Sequence, residues 1–183
     1  MVQDVYLIRH GQSTFNAAFE ANGVDPMHYG ARLSDRGAGQ ITQARRAAPG
    51  LGVNLVVASP LTRALQTVTG LFDGTPVPIM VSSIHVERLE HSCDVGRAPA
   101  VLSDEFPSLD FDHLADSWWH LGENGEGDFA VEPEPVLMDR VAAFSQWNAT
   151  RPEPAVAVVG HGEFFHRLTG RYMENCEIMH WTP

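Results

Sequence analysis

Val5-Tyr6-Leu7-Ile8-Arg9-His10-Gly11 is a short apolar run that breaks abruptly into an arginine, a histidine and a glycine. Residues 53–58, 77–82 and 155–159 repeat the Val- and Ile-rich character of residues 5–8, without polar alternation. Such runs suit strands covered on both faces. Helical spacing fills the intervals between them. Ser34 and Asp35 can cap a helix reaching Ala48, with Ile41, Ala44 and Ala48 along one face. Ser59-Pro60 places a capping hydroxyl before a proline at the first helical position, and Leu61, Ala64, Leu65, Val68 and Leu71 follow at helical intervals. Pro135 opens another helix with Leu137, Val141 and Phe144 inward, and residues 163–173 form the last. Strands alternating with helices predict an α/β fold, a three-layer, doubly wound, mostly parallel sheet with helices on both faces.

The chain has 183 residues, 44% of them hydrophobic and 19% charged. One domain over residues 1–183 is expected, since domains average about 150 residues. Its 12 basic and 23 acidic residues leave a net charge of −11. That surface repels phosphate backbones and anionic lipid heads, which argues against nucleic-acid and membrane partners. Cys93 and Cys176 are too few for a disulfide framework. The first ten residues lack the apolar core of a secretory signal, and no stretch approaches the roughly 18 apolar residues of a membrane span. A soluble, cytoplasmic protein with reduced thiols is expected.

Two stretches fit the alternation poorly. Residues 15–32 read as a long connection containing Gly23, Pro26 and Gly30. Residues 93–134 read as an insertion-like region on the substrate side, with helices near 99–106 and 113–121. Phe111, Trp118 and Trp119 are expected to pack beneath it as a satellite cluster rather than to form a ligand box. The region runs through Gly122-Glu123-Asn124-Gly125-Glu126-Gly127-Asp128, read as a mobile acidic loop. Covering a site, it would repel polyanionic substrates.

In open parallel sheets, ligands sit beyond the carboxyl ends of the strands. The first strand runs into Arg9-His10-Gly11 and onward to Ser13 and Asn16, the second into Ser59-Pro60-Leu61-Thr62-Arg63. The third runs into Glu87-Arg88-Leu89-Glu90, and the fourth into Gly160-His161-Gly162. Two histidines, two arginines and a carboxylate would thus converge. Guanidinium forks match phosphate oxygens, and neighbouring positive charge keeps a histidine neutral and nucleophilic. A partly buried carboxylic acid can protonate a leaving alcohol. The remaining histidines show no metal-ligand spacing, so neither a metal nor another cofactor is expected.

Arg9-His10-Gly11-x-Ser13-x-x-Asn16 resembles the signature of the histidine phosphatase superfamily, the phosphoglycerate mutase-like fold. Leu33-Ser34-x-x-Gly37, Ser59-Pro60-Leu61-x-Arg63-Ala64-x-x-Thr67 and Val159-Gly160-His161-Gly162 resemble its further blocks, in family order across residues 5–170. The resemblance implies that His10 becomes a phosphohistidine while Arg9, Arg63 and His161 cradle the phosphoryl group. It implies that Ser13 and Asn16 are auxiliary phosphate-side residues and that Glu87 is the proton donor. His85 stands where the family carries leucine before its acid, which leaves Glu90 a rival. Glu87 is preferred as the nearer to the strand end. A donor directly after the second histidine, as in the acid-phosphatase branch, is disfavoured because Gly162 stands there. Glu163 receives no role. The resemblance implies a metal-independent phosphatase acting on a small phosphorylated substrate. A phosphoglycerate mutase-like phosphotransferase and a phosphate-binding module of weak turnover are the alternatives. Substrate and oligomeric state are left open.

Overall fold

The structure, a computed structural model, describes residues 3–122 and 129–182. Five strands form one sheet: β1 (Asp4–Arg9), β2 (Leu55–Ala58), β3 (Ile79–Val81), β4 (Ala155–Gly160) and β5 (Ile178–Trp181). Their order is β3-β2-β4-β1-β5. The pairs β1–β4, β2–β4 and β2–β3 are parallel. β5 runs antiparallel to β1, with Ile8 opposite Ile178. The four apolar runs thus lie where they were expected. β5, with its exposed and half-buried residues, carries no such run and adds a strand that the apolar pattern does not signal.

Alternation along the strands divides the core into two layers. Ile8, Val56, Ala58, Ala157 and Val159 face one core, built with α2 (Asp35–Ala44) and α3 (Thr62–Phe72). Val5, Leu7, Leu55, Val57, Val156 and Val158 face the other, packed by α5 (Glu134–Ala149) and α6 (Gly162–Thr169). The expected three-layer arrangement is the observed one. Among the described residues, no helix is long and apolar enough to cross a membrane.

Several boundaries differ from expectation. Residues 15–32 are not a plain connection, because α1 (Thr14–Asn22) fills their first half. It starts at a capping box between Ser13 and Asn16 and stops at Gly23, whose φ is 69°. α2 ends four residues early, and Pro49 lies in the short 3₁₀ turn that follows (Ala48–Leu51). The last helix stops at Gly170, with φ 74°, rather than at Met173. Ser59 caps no helix: Leu61 is the N-cap residue of α3, so Pro60 lies ahead of it.

Within residues 93–134, α4 (Pro99–Glu105) matches the expected helix. The second one, near 113–121, is instead a series of turns. There the Trp118 indole donates to the Arg97 carbonyl at 2.9 Å, and His113 bonds the Val81 carbonyl at the sheet edge. Phe111 and Trp118 belong to the main core rather than to a satellite. Of the acidic loop, residues 123–128 lie outside the described residues.

Candidate active site

β1 and β4 are neighbours with Arg9 opposite Gly160, so His10 and His161 leave the sheet side by side. Their ring centroids are 5.2 Å apart, and both rings are buried. His10 Nδ1 lies 2.7 Å from the Gly11 carbonyl, which can only accept. Nδ1 therefore carries the hydrogen and Nε2 presents its lone pair. Arg63 Nε donates to that nitrogen at 3.2 Å. Burial, then Arg63 and Arg9, holds His10 well below the ordinary histidine value, so it is neutral near pH 7.

Arg63 is fixed on three sides. Besides His10, it donates to the Cys93 carbonyl at 2.5 Å and to Asp94 Oδ1 at 2.8 Å. Asp94 is buried and also accepts the His91 amide at 3.0 Å. Nothing in the motifs pointed to Asp94. The signal available was indirect: an arginine on a buried helix face demands a counter-charge.

Arg9 Nη1 donates to the Met173 carbonyl at 2.6 Å, while its buried Nε has no partner among the described residues. A Cβ added to Gly162 would lie 3.2 Å from that nitrogen, a tight approach that the glycine spares the guanidinium. His161 Nε2 meets the Ser59 hydroxyl at 2.7 Å, and its Nδ1 is likewise unpartnered among the described residues. Burial first, then Arg63 and the neighbouring histidines, lowers His161 well below its usual value.

Glu87 accepts the amides of Glu163 at 3.1 Å and Phe164 at 3.0 Å, at the N-terminus of α6. Burial, helped by Asp94, raises it to about 7 against the pull of those amides and of Arg63. A carboxyl group balanced there can release and recover a proton near neutrality. Glu90 also borders the cavity but is exposed. Glu163 pairs with Arg167 at 2.9 Å and lends only its amide to Glu87.

Arg9, His10, Arg63, Glu87 and Asn16 line one cavity of about 230 Å³. Phe15, Phe19 and His91 form its aromatic wall, each pair of rings 5.1–5.3 Å apart. Ser13 is buried and engaged in the α1 cap: its hydroxyl accepts the Asn16 amide at 3.1 Å and donates to Asn16 Oδ1 at 3.0 Å. The Leu33-Ser34-x-x-Gly37 block supports this loop from behind. Ser34 caps α2, and a Cβ on Gly37 would fall 2.1 Å from the Gln12 carbonyl oxygen.

Known proteins resemble the chain in sequence and in fold. The sequence profile of the histidine phosphatase superfamily (branch 1) matches residues 5–182. A phosphoglycerate mutase-like protein of Arabidopsis thaliana is 27% identical over 213 residues, covering 94% of this chain and 75% of its own. A glucosyl-3-phosphoglycerate phosphatase of Mycolicibacterium vanbaalenii is 28% identical, covering 92% and 73%. The solved alpha-ribazole phosphatase of Shigella flexneri superposes with a TM-score of 0.65 at 16% identity, over 96% of this chain and 88% of that one, a likeness of fold.

Proposed function

The chain belongs to the histidine phosphatase superfamily, branch 1, and on that footing we propose that it is a metal-independent phosphatase hydrolysing a small phosphomonoester through a phosphohistidine on His10. The observation that carries this reading is the lone pair of a neutral His10 Nε2, held 3.2 Å from Arg63 Nε in the same cavity as Glu87. When substrate enters, the Arg63 donor passes from that nitrogen to a phosphoryl oxygen and frees the nucleophile. Arg9 and Arg63 supply the positive charge that a metal would otherwise provide. Ser59 donates its hydroxyl hydrogen to His161 Nε2, so that His161 Nδ1–H serves a phosphoryl oxygen.

Nε2 of His10 attacks phosphorus as the bond to the leaving oxygen breaks, and Glu87 gives that oxygen its proton. The resulting carboxylate is received by the Glu163 and Phe164 amides. It then takes a proton from water as the water oxygen attacks phosphorus, releasing phosphate and restoring His10. Two unpaired thiols, Cys93 and Cys176, fit a reducing cytoplasmic setting.

His10→Ala tests the reading, with nitrophenyl phosphate as substrate and an acid-labile phosphoenzyme as the trapped species. Turnover and the phosphoenzyme are both expected to vanish in the variant, while the wild type turns over unchanged in EDTA. Full turnover by the variant would overturn the proposal.

A further inference from the structure

The proton donor sits on a loop with no regular structure, and one side chain grips that loop at several of its carbonyls. Arg140, on α5, spends all five of its N–H donors within one small region. Nε and Nη2 form a fork on Glu132, at 2.7 Å to Oε1 and 2.6 Å to Oε2. Nη1 donates to the carbonyls of Val86 at 2.9 Å and Ile84 at 3.2 Å, and Nη2 also reaches the Glu87 carbonyl at 3.5 Å. Glu132 is only 2% exposed. Its own amide donates to the Leu89 carbonyl at 2.7 Å, and its carbonyl accepts Arg88 Nε at 3.0 Å.

The grip also reaches α6. The Arg140 guanidinium lies 5.5 Å from the centre of the Phe164 ring, and the amide of that same Phe164 holds the Glu87 carboxylate. A second cavity of about 170 Å³ lies behind the donor, lined by Glu87, Asp94, Glu132 and Arg140 among others. Cavities thus border Glu87 on both sides, and its direction is set jointly by the α6 amides that hold the carboxylate and by the backbone that carries it.

We infer that Arg140 and Glu132 are positioning residues for the proton donor: their ion pair fixes the Ile84–Glu87 backbone so that the Glu87 carboxyl meets the leaving oxygen. A buried pair of this kind adds little net stability beside a well-packed apolar pair, whereas a misplacement of about 1 Å at a reacting group costs on the order of a hundredfold in rate. Lysine at 140 keeps the charge but offers three donors from one point instead of a planar fork of five.

This inference rests on the reading of Glu87 as donor, and the experiment separates the two. Arg140→Lys and Glu132→Gln, the second guarding against misfolding of the first, are assayed on nitrophenyl phosphate and on an alkyl phosphate, alone and combined with Glu87→Gln. Vanadate affinity reports whether the phosphate half of the site is intact. We expect each variant to lose about tenfold more kcat on the alkyl ester than on the aryl ester, a share of the range general acids supply. Vanadate affinity is expected to hold, and the selective loss to disappear in the Glu87→Gln background. Equal losses on both esters, or a selective loss that persists without Glu87, overturn the positioning role. If Glu87→Gln by itself slows both esters equally, the donor assignment is what fails.

Discussion

At Glu87, opposing influences meet on one carboxyl group. Burial and Asp94 favour its protonated form, while Arg63 and the two α6 amides favour the charged one, and the balance lies at about 7. In the proposed reaction donation requires the proton, so that role is filled below this value and lost as pH rises through it. As the proposed nucleophile, His10 must be neutral, and burial with Arg63 and Arg9 lowers it well below 6.5, so mild acid should not silence it. On an alkyl phosphate, kcat is therefore expected to fall by about tenfold per pH unit above the Glu87 value. Glu87→Gln should abolish that limb, while nitrophenyl phosphate, whose leaving group needs little protonation, should show a shallower one. A limb that survives in the variant would remove Glu87 from the role. At this scale the sequence disclosed what is contiguous. Arg9 and His10 stand together at a strand end, but Asp94 lies 31 residues from the Arg63 it holds. Its task follows only from burial, which no local pattern encodes.

One short helix supplies much of the cavity wall. α1 brings Phe15, Asn16 and Phe19 to the wall, and its start is secured by the reciprocal bonds between Ser13 and Asn16. Ser13→Ala is expected to cost about 1 kcal/mol of stability, the usual value of a lost N-cap. Urea unfolding measures it, and vanadate affinity should not change. A large loss of vanadate affinity at unchanged stability would instead make Ser13 a phosphate ligand. Elements of this size were the hardest to read. Gly23, Pro26 and Gly30 marked residues 15–32 as loop, yet Gly23 only terminates a helix already formed. Ser59-Pro60 misled in the opposite direction. It looked like a cap, but the hydroxyl is 2.7 Å from His161 Nε2, a partner 102 residues away. A helix was expected near residues 113–121, and tertiary packing instead placed Trp118 in the core without one.

Across the molecule, the sheet order makes the site. β4 lies between β1 and β2, so His10, Ser59 and His161 emerge from adjacent carboxyl ends. This much was legible, because buried parallel strands betray themselves as unbroken apolar runs. The same burial leaves three neutral histidines inside, and they tie stability to pH. His85 is enclosed near Phe144 and Phe164, gives Nε2–H to the Val159 carbonyl at 3.1 Å, and is lowered by burial to about 4. An unfolded histidine takes up its proton at higher pH than this one. The stabilising difference is thus complete above about 6.5 and drains away as pH falls towards 4. For His85 alone that amounts to about 3 kcal/mol, at 1.36 kcal/mol per unit. His10 and His161 act in the same direction, and Glu87 in the opposite one, its contribution being lost as pH rises through about 7. His85→Leu isolates the share of one ring. The Val159 carbonyl still accepts the Ser59 amide at 3.0 Å, so no acceptor is stranded and the fold at pH 7 should stand. Urea midpoints compared at pH 7 and 4.5 should fall less in the variant than in the wild type. Equal acid losses in both would mean that the acid sensitivity lies elsewhere.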